Sequence, residues 1–241
     1  MPQRPLHELL QEIENAPRGA GRPAARLLAV SKTQPAAAIR ALAAQGQRAF
    51  GENYVQEALR KQAGLADLAL EWHLIGHLQS NKAGEAARAF DWVQSLDRPK
   101  LVDALARQRP DTMPALNVLI QVNIDDEASK HGCRPDAVPA LAAAVAAQPR
   151  LALRGLMAIP APHPAPGRRL EAFRAMKALY DALAASHPGV DTLSMGMSGD
   201  YLDAIGEGAT MVRIGTALFG ARGTPAPRAG TAGASRSHGN P

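Results

Sequence analysis

This sequence contains little cysteine, few aromatic residues and no long apolar run. Its 241 residues include a single cysteine, Cys133, which excludes an internal disulfide framework and a cysteine-rich metal cluster. Aromatic residues make up only 4% of the chain against 46% hydrophobic residues in all, so a core must consist mainly of Leu, Val, Ile and Ala. No apolar run approaches the ~18 residues that a membrane-spanning helix needs. Residues 1–30 also lack the apolar block of a signal peptide. These absences predict a globular, cytoplasmic protein with no membrane partner.

The net charge of +5 raises the question of a nucleic-acid partner, because basic patches are the electrostatic signature of such proteins. Three of the basic residues, Arg222, Arg228 and Arg236, lie in residues 222–241, which contain no acidic residue. Residues 1–221 therefore carry only +2. No basic helix and no stripe of interleaved basic and aromatic residues remains, so we predict no nucleic-acid partner.

The two ends of the chain differ in pattern from its middle. Four apolar residues near the start recur at helical spacing and predict one amphipathic helix within a lead-in of residues 1–25. They are Leu6, Leu9, Leu10 and Ile13. Residues 222–241 hold mainly Gly, Pro, Ala, Ser and Arg without apolar periodicity, which predicts a disordered tail. The domain itself is expected over residues 26–221.

Within residues 26–221, a short apolar run followed by a helix-length segment recurs eight times. The apolar runs lie at residues 27–32, 49–53, 72–76, 90–96, 117–123, 153–159, 192–197 and 210–220. They are apolar at both odd and even positions, as parallel strands buried on both faces should be. Eight such units favour a single closed (β/α)8 barrel, the TIM barrel. An open doubly wound sheet would have the same rhythm and is the alternative fold.

Lys32 is the most unusual residue at a predicted strand end, which in such barrels is the edge that carries the active site. It ends the buried run LLAVSK, whereas Lys61, Lys100 and Lys177 fall on predicted helices, where we expect solvated side chains. A partly desolvated lysine can form a Schiff base with an aldehyde. The alternative is a lysine that only extends its ammonium group into solvent.

The last two predicted strands carry glycine-rich segments. The seventh strand leads into Ser198 and Gly199, and the eighth contains Arg213, Gly215 and Thr216. Phosphate groups in barrels are often bound by the loops of these two strands, through backbone N–H groups and the start of a short helix. Ordinary glycine-rich turns are the alternative interpretation. A Schiff-base lysine and a phosphate site in one barrel mouth indicate a phosphorylated aldehyde or ketone as the ligand.

Seven segments between residues 27 and 220 resemble the pyridoxal 5′-phosphate homeostasis proteins, the YggS/PROSC family. The segments are LAVSKT (28–33), FGENYVQE (50–57), WHLIGHLQSNK (72–82), LIQVNID (119–125), RGLMAIP (154–160), LSMGMSGD (193–200) and MVRIGTALFG (211–220). The resemblance implies the barrel of the alanine-racemase type, known as fold-type III, and pyridoxal 5′-phosphate as the cofactor.

The same resemblance implies a role for each matching residue. Lys32 would form the internal aldimine with the cofactor, and Arg213 would face its pyridine nitrogen. Ser198, Gly215 and Thr216 would hold the phosphate. Asn53 would line the pocket.

Two positions depart from the family pattern. His77 stands where the family usually has proline, and we expect it to loosen the turn after the third strand. Gly199 stands where the family usually has aspartate, which removes one carboxylate near the phosphate. Neither change removes a residue that the resemblance assigns to the cofactor.

The resemblance and the chemistry of the site together favour a carrier over an enzyme. An arginine at the ring nitrogen disfavours the protonated pyridine, the form that stabilises carbanions best, and so restricts carbanion chemistry. Racemisation also needs a second acid or base, which in the similar racemases comes from an additional C-terminal domain, whereas here only the predicted tail follows Gly220. We therefore expect a monomeric protein that binds pyridoxal 5′-phosphate and delivers it to apo-enzymes. The alternatives are a pyridoxal-phosphate-dependent racemase or decarboxylase and, more distantly, a Schiff-base aldolase.

Other residues give weaker signals. Lys130 could act as a second amine for the aldehyde, but a solvated loop lysine beside acidic residues is the favoured interpretation. His73 and His77 are four residues apart on a predicted strand and turn rather than on a helix, so we predict no metal site.

Overall fold

A computed structural model describes residues 3–127, 130–161 and 166–220. Eight parallel strands within these ranges close into a barrel in chain order. The closing contact pairs β1 (Arg26–Val30) with β8 (Met211–Ile214) in parallel. The predicted (β/α)8 barrel is thereby confirmed, and the open sheet is excluded. The predicted tail, residues 222–241, lies outside the described ranges.

The elements of the described ranges alternate strand and helix after an initial helix. The strands are β1 (Arg26–Val30), β2 (Ala49–Glu52), β3 (Glu71–Leu74), β4 (Trp92–Leu96), β5 (Leu116–Val122), β6 (Leu151–Ala158), β7 (Thr192–Ser194) and β8 (Met211–Ile214). The α-helices are α1 (Leu6–Asn15), α2 (Ala36–Ala44), α3 (Val55–Ala63), α4 (Ala83–Ala89), α5 (Pro99–Gln108), α6 (Val138–Ala146), α7 (Pro166–Ser186), α8 (Tyr201–Gly206) and α9 (Thr216–Phe219). Short 3-10 turns at Ser80–Lys82 and Pro135–Ala137 precede α4 and α6.

The eighth predicted strand, residues 210–220, is too long. Strand β8 ends at Ile214, the last of its residues paired with β1, and Thr216–Phe219 form α9 instead. Beyond the last paired residue the backbone has no ladder partner, so it is free to form the hydrogen bonds of a helical turn. This shortening places Thr216 in the first turn of a helix at the barrel mouth.

The largest apolar cluster lies between the outer faces of the strands and the surrounding helices. Helix α1 joins this cluster through Leu6, Leu9 and Ile13, each at most 2% exposed, whereas Leu10 is 41% exposed. The predicted amphipathic helix is therefore present, with Leu10 outside its buried face. Among the described residues no helix is both long and apolar enough to cross a bilayer.

The inside of the barrel is only partly apolar. It contains two small apolar clusters, one around Leu28, Ile75 and Met211 and one around Trp92 and Met157. Fully buried polar side chains contact both clusters. The His73 ring stacks on Trp92 with centroids 5.1 Å apart, and the Gln94 amide lies 3.2 Å from the sulfur of Met211. Buried polar groups need hydrogen-bond partners, so their arrangement is constrained as tightly as the apolar packing around them.

Candidate functional site

A cavity of about 330 Å³ opens at the C-terminal edge of the barrel. The loops after β1, β2, β7 and β8 supply most of its wall. It brings together all six residues that the family resemblance assigns to the cofactor: Lys32, Asn53, Ser198, Arg213, Gly215 and Thr216. Its volume lies within the range of small-molecule sites. Residues that the sequence did not single out also line it, among them Gln34, Ile75, Ile159 and Met197.

Arg213 lies in β8 with only 3% of its surface exposed. Its Nη1 donates to the backbone oxygen and to Oγ of Ser194, both at 2.8 Å, and its Nη2 donates to the backbone oxygen of Ala158 at 2.7 Å. No carboxylate in the described part of the chain pairs with it directly. Burial lowers the pKa of Arg213 to about 10, against a smaller opposing effect of Asp200. The guanidinium is therefore still charged at neutral pH.

Only part of the hydrogen-bonding capacity of Arg213 is used by the protein. A guanidinium has five N–H donors, and the contacts to Ser194 and Ala158 occupy three of them. The side chain lines the cavity. A ligand in the cavity thus meets a cation that can donate hydrogen bonds but cannot accept any.

Lys32 lies two residues beyond the end of β1, and its side chain is exposed. Its two neighbours in sequence are held firmly. Ser31 Oγ donates to Glu52 Oε1 at 2.6 Å, and the backbone N–H of Thr33 donates to Glu57 Oε1 at 2.5 Å. Thr33 has a positive φ of 64°, a conformation that a β-branched residue adopts only when its surroundings impose it. The backbone of Lys32 is fixed on both sides while its amine stays accessible.

Lys61 was expected on a solvated helix face, and that expectation is wrong. Its side chain is buried, and its Nζ donates at 2.7 Å to the Ser31 backbone oxygen, to Glu52 and to Glu57. The physical reason is that Glu52, fully buried at the end of β2, requires a cation beside it. Burial raises the pKa of Glu52, while the hydrogen bonds from Lys61 and Ser31 oppose that rise. The i,i+4 spacing of Glu57 and Lys61 on α3 was the available sequence signal for this cluster.

Asn53 is held against the loop after β3. A Cβ atom on Gly76 would lie 2.1 Å from the backbone oxygen of Asn53, so only glycine permits this contact. The turn is therefore tight, and the loosening expected from His77 is not seen. His77 instead stacks on His131 with ring centroids 3.9 Å apart. Burial, together with the neighbouring His131, lowers the pKa of His77.

Two glycines permit close contacts in the loops after β7 and β8, Gly196 with helix α8 and Gly215 with strand β1. Gly196 has a φ of 90°, and a Cβ there would lie 2.5 Å from that of Ala204. A Cβ on Gly215 would lie 3.1 Å from the backbone oxygen of Val30. Asp200 closes the β7 loop by accepting the backbone N–H of Met197 at 2.6 Å. One carboxylate thus remains in this loop although Gly199 replaces the other.

These groups together fit a phosphorylated pyridine aldehyde. Lys32 offers an accessible amine, and Arg213 offers a cation at the inner end of the cavity. On the side of β7 and β8, Ser198 and Thr216 line the same cavity and supply two hydroxyl groups, and Thr216 is the first residue of α9. The donor set therefore matches an aldehyde, a ring nitrogen and a phosphate within one cavity.

The sequence also matches known proteins over nearly its whole length. The family model described as "Alanine racemase, N-terminal domain" matches residues 6–223. The pyridoxal phosphate homeostasis protein of Pseudomonas aeruginosa is 57% identical over 224 residues, covering 92% of this chain and 96% of that protein. This chain belongs to the pyridoxal phosphate homeostasis protein family.

A second family member, the homeostasis protein of Escherichia coli K12, is 54% identical over 199 residues, covering 81% of this chain and 85% of that protein. Among solved structures, PipY of Synechococcus elongatus with pyridoxal phosphate bound superposes with a TM-score of 0.76 at 37% identity. That match covers 89% of this chain and 99% of PipY. The barrel predicted from the family resemblance agrees with this structural relative.

The remaining candidates do not extend the site of this family member. Lys130 Nζ donates to Asp125 at 2.9 Å and to the backbone oxygen of Ile159 at 3.3 Å, as the favoured loop-lysine interpretation expects. Burial raises the pKa of the Cys133 thiol to about 11. Within the described ranges no group of three or more His, Cys, Asp or Glu residues is placed to hold a metal ion.

Proposed function

We propose that this protein binds pyridoxal 5′-phosphate covalently through Lys32 and delivers it to enzymes that require it, without catalysing a reaction of its own. The observation that carries this proposal is the shared cavity of an accessible amine and a buried, charged arginine that no carboxylate of the described residues neutralises. The names of the relatives in Pseudomonas aeruginosa and Escherichia coli support the homeostasis role. The cofactor bound to PipY supports the choice of ligand.

Each residue would have one task. Lys32 would bind the carbonyl carbon, and Arg213 would face the ring nitrogen. Ser198, Gly215 and Thr216 would hold the phosphate through hydroxyl and N–H groups. Asn53, fixed by its contact with Gly76, would line the side of the pocket. When bound, the cofactor supplies an aldehyde that condenses with amines and a ring that withdraws electrons best when its nitrogen is protonated.

Arg213 is the residue that favours carriage over catalysis. A guanidinium with a pKa of about 10 remains charged at neutral pH. Because it only donates hydrogen bonds, it favours the unprotonated ring nitrogen, in which the ring is a weaker electron sink. The exposed position of Lys32 also leaves the bond between lysine and cofactor accessible to water and to incoming amines, as release requires.

For partners, we propose transient contact with apo-enzymes in the cytoplasm by a monomeric protein. Three of the exposed large hydrophobic side chains lie at or beside the cavity mouth: Tyr54 is 64% exposed, Ile159 39% and Met197 38%. Exposed apolar groups around a cofactor site are suited to brief docking of a protein that accepts the cofactor.

Reconstitution with pyridoxal 5′-phosphate tests the proposal directly. We expect a visible absorption band that borohydride abolishes, its loss in Lys32→Ala and its retention in Lys100→Ala, which removes an exposed lysine on α5. We also expect the loaded protein to restore activity to an apo-enzyme.

Two results would contradict this function. A band that persists in Lys32→Ala would place the cofactor on another lysine. Incorporation of deuterium at Cα of an amino acid, catalysed by the loaded protein in deuterated water, would show an enzyme of the racemase class.

A further inference from the structure

A continuous row of side chains, buried except at its far end, crosses the barrel behind the cavity. We call it the interior relay, and its members are Arg213, Ser194, Gln94, His73 and Glu71. Ser194 Oγ lies 2.8 Å from Arg213 Nη1 and 2.8 Å from Gln94 Oε1. Gln94 Nε2 lies 2.9 Å from His73 Nδ1, and His73 Nε2 lies 2.7 Å from Glu71 Oε1. The four members before Glu71 are at most 3% exposed.

The two ends of the relay fix the direction of every hydrogen bond in it. Arg213 can only donate, so Ser194 Oγ accepts from it and donates its own hydroxyl hydrogen to Gln94 Oε1. At the other end Glu71 is an acceptor. Burial favours a raised pKa for its carboxyl, but the hydrogen bond from His73 and the ion pair with Arg26 oppose that effect, and the pKa lies below its ordinary value.

The middle of the relay follows from those ends. Gln94 presents its NH2 group to Nδ1 of His73, and the imidazole proton lies on Nε2, facing Glu71. Burial lowers the pKa of His73, which agrees with a neutral ring. One arrangement of protons therefore satisfies all the members.

The relay also joins the two edges of the barrel. Glu71 is the first residue of β3 and pairs at 2.7 Å with Arg26, the first residue of β1, whose side chain is 52% exposed. Arg213 lies near the end of β8, at the cavity. An ion pair at the N-terminal edge is thus connected, bond by bond, to the proposed partner of the ring nitrogen.

We propose that Gln94, His73 and Ser194 are positioning residues for Arg213, and that the relay determines which guanidinium N–H groups face the cofactor. This inference rests on the proposed function. Ser194 takes both hydrogens of Nη1 through its backbone oxygen and Oγ, and Ala158 takes one of Nη2. The remaining donors are left for the ligand. Without an acceptor at Ser194 Oγ, the guanidinium could rotate and present other donors.

The chain offers a matched control for this idea. Ser95 follows Gln94 on β4, is 0% exposed like Ser194, and its Oγ has no hydrogen-bond partner among the described residues. Ser95→Ala and Ser194→Ala therefore each remove one fully buried hydroxyl group, but only Ser194→Ala interrupts the relay. Arg109 is an internal reference, because this second buried arginine is bound to backbone oxygens outside the relay.

The first experiment uses the protein without cofactor. Proton exchange of the Arg213 guanidinium, followed by nitrogen NMR, should accelerate about tenfold in Ser194→Ala and about threefold in Gln94→Leu, the range that one buried hydrogen bond supports. Exchange at Arg109 should stay unchanged in both variants, and exchange at Arg213 should stay unchanged in Ser95→Ala.

The second experiment uses the protein loaded with pyridoxal 5′-phosphate. We expect Ser194→Ala and Gln94→Leu to shift the visible absorption maximum of the bound cofactor. They should also speed its dissociation by factors similar to those expected for proton exchange at Arg213. Arg26→Ala changes an exposed site on the opposite edge. It should shift the absorption maximum in the same direction but by less, and it should speed dissociation about twofold.

The outcomes separate the two proposals. If the wild-type protein shows no Lys32-dependent band, the proposed function fails whatever NMR reports. If the band forms but exchange at Arg213 and the dissociation rate in Ser194→Ala and Gln94→Leu match those of Ser95→Ala, the relay does not position Arg213. Because Arg26→Ala lies at the surface, it keeps the test valid if an interior variant does not fold.

Discussion

Replacing Lys61 by methionine removes the cation of a buried charge cluster while keeping most of its apolar volume. Lys61 makes three hydrogen bonds, to the Ser31 backbone, to Glu52 and to Glu57. Without it, the carboxylate of Glu52 is left fully buried beside a second acid. Breaking a buried ion pair in this way costs about 3–5 kcal/mol. In a domain of this size that loss should lower Tm by roughly 6–20 °C.

The loss should depend on pH in a defined direction. Burial already raises the folded-state pKa of Glu52, and removing the Lys61 hydrogen bond should raise it further. A group with a raised folded-state pKa stabilises the fold below its unfolded pKa and loses that contribution as pH rises through the folded value. Urea unfolding of Lys61→Met should therefore show a smaller loss of stability near pH 5 than near pH 8.

Two comparisons decide whether this reasoning holds. Lys100→Met, at an exposed site on α5, should change the free energy of unfolding by less than about 0.5 kcal/mol. Adding Glu52→Gln to Lys61→Met should recover much of the loss, since the unpaired charge is gone. A loss under about 1 kcal/mol for Lys61→Met, or an equal loss at both pH values, would refute the account of a charged cluster behind Lys32.

Two further predictions concern single sites. Gly76→Ala should displace Asn53, because its Cβ would lie 2.1 Å from the Asn53 backbone oxygen. We expect equilibrium titration to show weaker cofactor binding by this variant. Wild-type affinity would contradict the tight turn. As a control, Gly167→Ala introduces a Cβ that meets nothing within 4 Å. Cys133 is 8% exposed with a pKa of about 11, so only about one thousandth is thiolate at pH 8. Its reaction with a thiol reagent should be slow in the folded protein and fast in urea, and rapid labelling of the folded protein would disprove its burial.

The barrel was predictable because its cause is local. Each strand is a short run that is apolar at both odd and even positions. Such a run has two apolar faces, which must be buried between an inner and an outer layer. Lys32 and Arg213 stood out for the same reason, since a charge at the end of a buried run is costly without a use. The limits of β8 were less predictable, because they depend on how far β1 extends beside it.

The interior relay could not be predicted, because its contacts join residues far apart in the chain. Ser194 and Gln94 are 100 positions apart and meet only across the closed barrel. In the sequence they are small polar interruptions of apolar strands. The burial of Lys61 was missed for a related reason: a lysine on a helix is usually solvated, and only the neighbouring strand end with Glu52 makes it a core residue.

The pairing of β1 with β8 has a consequence for the order of events during synthesis. The cavity takes Lys32 from the first β/α unit and Thr216 from the last. The backbone N–H of Arg4, near the chain start, donates to the backbone oxygen of Ala217 in α9 at 2.7 Å. Contacts of such large sequence separation form late in folding. With the cofactor held as proposed, a nascent chain on the ribosome cannot bind it until nearly all of the barrel has emerged. Partly translated chains should therefore not react with free pyridoxal 5′-phosphate through Lys32.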